Sequence, residues 1–157
     1  MDACDTVTVF PPEEGGGGGG GGGFGCGSYT TYSQGGYGQD WNCRMIGTGN
    51  NRVCSGVYDP PNGGPGSLLA SNFASVYGSP GTITVGGTYT MEFGSAKAVA
   101  DYLPATTTPG SLTASLVNPT SSSSGTFGGQ VLTMQINVDF SNASVLPPGL
   151  GALFYCN

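Results

Sequence analysis

Cysteine is the side chain in this sequence with the most chemistry to offer. There are five: Cys4, Cys26, Cys43, Cys54 and Cys156. No two stand in a C-x-x-C spacing, and the chain has no histidine. A zinc ion would have to gather most of the thiols from unrelated spacings, so no metal centre is expected. Disulfides are the better use, and they belong to an oxidising compartment. We expect Cys43 to pair with Cys54 across Arg44 to Val53. Cys26 would pair with Cys156, bringing the start and end of the main body together. Other connectivities remain open. Cys4 is then the odd thiol, either buried and free or bonded to another chain.

The remaining reactive types do not assemble into a catalyst. Without histidine there is no Ser-His-Asp triad and no Cys-His dyad. Glycoside hydrolysis needs two carboxylates facing across a cleft, and nothing marks a pair among Asp40, Asp59, Glu92, Asp101 and Asp139. Ser95-Ala96-Lys97 is not an S-x-x-K arrangement. The nine glycines Gly15–Gly23 are not followed by Gly-Lys-Ser/Thr, so they are no phosphate loop. Asp40 or Asp59 with loop carbonyls is compatible with calcium, but no EF-hand or RTX spacing supports it. The expectation is a protein that is not an enzyme and uses no cofactor.

Composition narrows the partners. The formal net charge is −6, from three basic and nine acidic residues. Arg44, Arg52 and Lys97 are too few for a phosphate-binding patch, so nucleic acid and anionic membranes are not expected partners. No apolar run approaches a membrane span. The acidic opening lacks the apolar core of a signal peptide, so an exported chain would be a mature or engineered form. Charged residues are only 8% of the chain, which leaves Ser, Thr, Asn, Gln and Gly to cover the surface. Such a surface suits contact with sugars or with copies of itself.

The organisation read from pattern is a strand arm over residues 1–14, a polyglycine tether over 15–23 and one β-rich domain over 24–157. In the arm, Thr6-Val7-Thr8-Val9-Phe10 is β-branched on both faces, and Pro11-Pro12 ends any ladder. Glycine has no Cβ, so the tether is a coil of about 15–18 Å root-mean-square span, or at most about 30 Å when stretched. In the body, Ser67–Tyr77 and Ser95–Leu103 are expected as short helices, the first stopped by Gly78 and the second by Pro104. Thr82–Val85 and Thr88–Phe93 are expected as strands joined by a two-residue Gly86-Gly87 turn. Leu112–Val117 is a weaker strand. Val131–Phe140 alternates, with Leu132, Met134, Ile136, Val138 and Phe140 on one face, and is expected as a half-buried strand. A helix is the competing reading there. The expected fold class is therefore mainly β, sandwich-like, with one or two short helices and an extended amino-terminal arm.

Sugar attachment has candidates. Asn142-Ala143-Ser144 is an N-x-S sequon, whereas proline disqualifies Asn118-Pro119-Thr120. Thr106, Thr107 and Thr108, and Ser121, Ser122, Ser123 and Ser124, are hydroxyl clusters suited to O-linked sugar or simply to surface loop.

The stretch Tyr29-Thr30-Thr31-Tyr32-Ser33-Gln34-Gly35-Gly36-Tyr37-Gly38 resembles the opening of a domain of large bacterial secreted and cell-surface proteins. So do Leu116 to Thr120, Ser121 to Gly125, Phe127 to Leu132, and the run to Ser141. The likeness covers about residues 28–157. It implies export and a structural or adhesive setting, and it carries over no catalytic residue.

Two functions follow as expectations. In the first, the chain is a structural subunit of an extracellular filament or surface assembly. Its Thr6–Phe10 strand completes the sheet of a neighbouring copy, and head-to-tail repetition gives a homopolymer. In the second, it is a monomeric carbohydrate- or protein-binding module of a larger secreted protein. Tyr29, Tyr32, Tyr37 and Trp41 would then form its aromatic platform.

Overall fold

A computed structural model describes residues 29–152. The expected arm strand Thr6–Phe10, the glycine run, Cys4, Cys26 and Cys156 lie outside the described residues.

The chain is a mixed α/β protein, not a mainly β one. A short helix α1 (Gln34–Tyr37) leads into a two-stranded antiparallel ladder, β1 (Asn42–Ile46) and β2 (Val53–Asp59). Helix α2 (Gly64–Tyr77) follows. A second sheet has the order β3 (Ile83–Gly86), β4 (Thr90–Phe93), β5 (Leu116–Val117), with helix α3 (Ala96–Tyr102) between β4 and β5. The long helix α4 (Gly125–Asn142) comes last, before a 3-10 turn at Leu150–Ala152. No sandwich of two large sheets exists among the described residues.

Helices α2 and α3 form where the sequence predicts them. Leu69 and Phe73, four apart, are buried on one face of α2. That helix starts a turn before Ser67 because Pro65 fits in its first turn, where a missing N–H costs nothing. Gly78 ends it at φ 95°, a value glycine adopts without strain. Ser95 caps α3: its hydroxyl accepts from the Ala98 N–H at 3.1 Å.

Period-two burial appears in the second sheet. Ile83 and Val85 face inward opposite Phe93 and Met91, while Thr84 points to solvent. The register pairs Gly86 with Thr90, so the connection is three residues, Gly87–Tyr89, and not the expected Gly86-Gly87 turn. Only the last two residues of the expected Leu112–Val117 strand join the sheet, parallel to β4. Asn118 fastens that end: its N–H reaches the Glu92 carbonyl at 2.7 Å, and its Oδ1 accepts from the Gly94 N–H at 2.8 Å.

The expected strand Val131–Phe140 is part of α4. Leu132, Ile136 and Phe140 fit both a period of two and a spacing of four, and all three are fully buried. The rest of the pattern decides for the helix. Gly128, Gly129, Thr133, Asn137 and Ser141 are buried beside them, whereas Met134 is 60% exposed. Packing overrides the β preference of valine and isoleucine. The two glycines let the helix approach its neighbours. A Cβ on Gly129 would fall on the Gln34 amide, and one on Gly128 would fall on the Ser124 hydroxyl.

Helix α4, the inner face of β3–β4, and helices α2 and α3 enclose one apolar core. The segment before α1 is fixed to it by Asn137. Its Oδ1 accepts from the Tyr32 N–H at 2.9 Å and the Tyr37 hydroxyl at 2.9 Å. Its Nδ2 donates to the Tyr32 carbonyl at 2.9 Å. Tyr37 is fully enclosed, with Tyr32 and Phe140 edge-on at 5.9 and 6.2 Å.

Removing the Asn137 amide strands one buried and two part-buried polar partners, each costing up to about 1–3 kcal/mol less the relaxation of its neighbours. Asn137→Ala is expected to lower unfolding free energy by about 3 kcal/mol in urea titrations; a loss below about 1 kcal/mol would refute this role. Burial, with the neighbouring Tyr32 adding to it, raises the Tyr37 phenol above its usual value. Burial also raises Tyr77, aided by the Asp139 charge, although the geometry between those two falls short of a hydrogen bond. A phenol held neutral in the fold but free to ionise when unfolded stabilises fully below pH of about 10 and loses that contribution above it. Stability is therefore expected to fall at alkaline pH by up to about 1.4 kcal/mol per unit for each of the two tyrosines. Thermal melts across pH 9–12 (roughly) with tyrosinate absorbance test this, and a flat profile would contradict it.

Candidate functional site

Several of the ionisable groups are paired locally. Arg44 Nε donates to Asp59 Oδ2 at 3.2 Å, and this hydrogen bond holds Asp59 below its usual carboxylate range. Lys97 pairs with Asp101 one helical turn on. Asp139 accepts from the Gln135 amide at 2.8 Å. Among the described residues no three of His, Cys, Asp and Glu come together to hold a metal ion.

The four aromatic candidates do not share one open face. Tyr37 has no exposed surface to stack on a sugar, and its hydroxyl is committed to Asn137. Tyr32 packs edge-on against it. Trp41 is half-buried against the core, beside Phe73 and Pro80. Tyr29 lies by Gly149, where an added Cβ would stand 3.2 Å from its hydroxyl.

Several of the hydroxyl candidates are structural. Ser122 and Ser124 share a contact of 2.7 Å, and Tyr102 reaches Ser122 at 2.8 Å. Ser123 donates to the Ser111 carbonyl at 2.8 Å. Ser124 is buried, which withdraws it from sugar attachment. Thr106, Thr107, Thr108, Ser121 and Asn142 remain exposed.

What the surface does offer is apolar area beside unfinished ladders. On β1–β2, Met45, Ile46, Val53, Val57 and Tyr58 are all exposed, from 44% to 58%. Cys43 and Cys54 are bonded across this ladder with Cα atoms 5.7 Å apart, the pairing expected above. The register slips between Cys43 and Met45, leaving a bulge. Neither strand pairs with anything else among the described residues. The ladder touches the body through Tyr58, whose ring lies 4.5 Å under the Lys97 ammonium.

The second apolar area is a groove of about 660 Å³ between the β3–β4 connection and α4. Tyr89, Phe127 and Val131 line it, and Val131 also borders a second, smaller hollow on α4 with Met134. Strand β3 is the edge of its sheet there.

Sequence reasoning missed both surfaces. The glycine- and asparagine-rich composition of residues 42–59 masked two strands. The visible signal was apolar residues beside each half of the cysteine pair. On α4, Phe127, Val131 and Met134 are themselves at helical spacing, a pattern hidden once the segment is read as a strand.

No helix among the described residues is long and apolar enough to cross a membrane. The disulfide is compatible with an oxidising compartment. Comparison with known proteins finds no matching family model, no matching curated protein and no matching solved structure.

The closed loop between Cys43 and Cys54 spans 11 residues, for which chain-entropy arguments give about 3 kcal/mol. Replacing both cysteines by serine is expected to speed amide exchange in β1–β2 by about 100-fold while leaving α4 protected. Equal loss of protection in both elements would show that the ladder is not a separate unit.

Proposed function

We propose that this protein is a structural subunit of an extracellular or cell-surface assembly, polymerising by addition of its amino-terminal strand to a neighbouring copy. The observation that supports this reading is the pairing of exposed apolar side chains with open ladder edges on β1–β2. An open edge is a row of unsatisfied donors and acceptors that recruits another strand. Main-chain bonds then give affinity, and alternate side chains give specificity.

Three further features agree with it. With charged residues at only 8%, little repulsion opposes stacking of copies. The disulfide suits an oxidising exterior, the setting that the resemblance to bacterial surface domains also implies. Thr6–Phe10 ends at Pro11-Pro12, which stops a ladder after one short strand. The binding-module reading loses support with the burial of Tyr37.

Electron microscopy and light scattering of the purified full chain test the proposal. The full chain is expected to form filaments or high-mass species. A variant lacking residues 1–14 is expected to remain a monomer at the same concentration. Polymers from the shortened chain would exclude strand addition by the arm, and a monomeric full chain would exclude assembly itself.

A further inference from the structure

We infer that the acceptor for the Thr6–Phe10 strand is the β1–β2 ladder of a neighbouring copy, not the groove beside β3. This assignment rests on the assembly reading above and adds the identity of the surface.

Charge separates the two surfaces. Residues 1–14 carry Asp2, Asp5, Glu13 and Glu14 and no lysine or arginine, so four of the nine acids flank the short stretch Thr6-Val7-Thr8-Val9-Phe10. All three basic residues lie on or against the ladder. Arg44 is in β1, Arg52 directly precedes β2, and Lys97 sits over Tyr58. Arg44 and Lys97 are paired within the chain, whereas Arg52 has no ion pair among the described residues. The groove by β3 and the smaller hollow on α4 are lined by no lysine or arginine. Asp59 and Asp101 offset Arg44 and Lys97, so Arg52 is the basic charge that an acidic strand meets at the ladder and does not meet at the groove.

Ladder completeness points the same way. A two-stranded sheet alone is marginal in water, and a third strand with an apolar face is what secures one. The β3–β4–β5 sheet already has three strands and a buried face. β1–β2 has two strands, and apolar Met45, Ile46, Val53 and Val57 stay exposed on it. Val7, Val9 and Phe10 supply apolar side chains for those to pack against. The added strand is five residues, Thr6–Phe10, the length of β1.

Photo-crosslinking of the full chain tests this. Phe10→p-benzoylphenylalanine is introduced, unlabelled and nitrogen-15-labelled chains are mixed, and the assembled material is irradiated and mapped by mass spectrometry. Crosslinks joining one isotope to the other are expected on residues 42–59. Arg52→Glu is expected to weaken assembly by about tenfold, and raising salt from about 50 to about 500 mM is expected to do the same. Mixed-isotope crosslinks on residues 83–93 or 127–138 would overturn the assignment while leaving assembly standing. Same-isotope crosslinks alone would overturn it by showing that the arm folds onto its own chain. Assembled material without crosslinks on 42–59 counts against it equally. A chain that stays monomeric at every salt concentration would remove the assembly reading and this assignment together.

Discussion

The Asn137 amide ties the last helix to a segment about a hundred residues earlier in the chain. It sits on the buried face of α4 and saturates both backbone groups of Tyr32 and the hydroxyl of Tyr37. A buried amide stabilises only when its partners are in place, so it specifies one position for the leading segment. Gln34 repeats the device a short distance away, accepting from the Ala105 N–H at 3.0 Å. Ser141 does so at the other end of the helix, donating to the Pro147 carbonyl at 2.8 Å and accepting from the Leu150 N–H at 3.0 Å. A core limited by a glycine-rich composition is thus supplemented by polar contacts from α1 and α4.

Legibility in the sequence followed the locality of the physics. Helix α3 was readable because its cap Ser95 and its stop Pro104 are adjacent to it. The β3–β4 strands were readable because alternation there is unambiguous, although the turn absorbed one more residue than glycine pairing suggested. The α4 segment was misread because Leu132, Ile136 and Phe140 satisfy two periods at once. What resolves them is the approach of Gln34 and Tyr102 to Gly129 and Gly128, contacts that no local pattern announces. The candidate surface was half legible. The Cys43–Cys54 bond was expected among several open connectivities, but composition concealed the strands it joins and the apolar residues they expose.

Two regions with different rules result. In the body, the sheet has a covered face, and Ser122, Ser123 and Ser124 turn their hydroxyls to its own loops. The β1–β2 ladder is open, apolar and cross-linked. Its covalent bond spares it from relying on burial, which leaves its side chains available for contact.

Trp41 stands at the junction of these regions, directly before β1 and packed against the core. It is the chain's one tryptophan. Indole emission therefore comes from the foot of the ladder alone, free of background from anywhere else in the polypeptide. The molecule carries an intrinsic optical reporter for how that projecting element is seated.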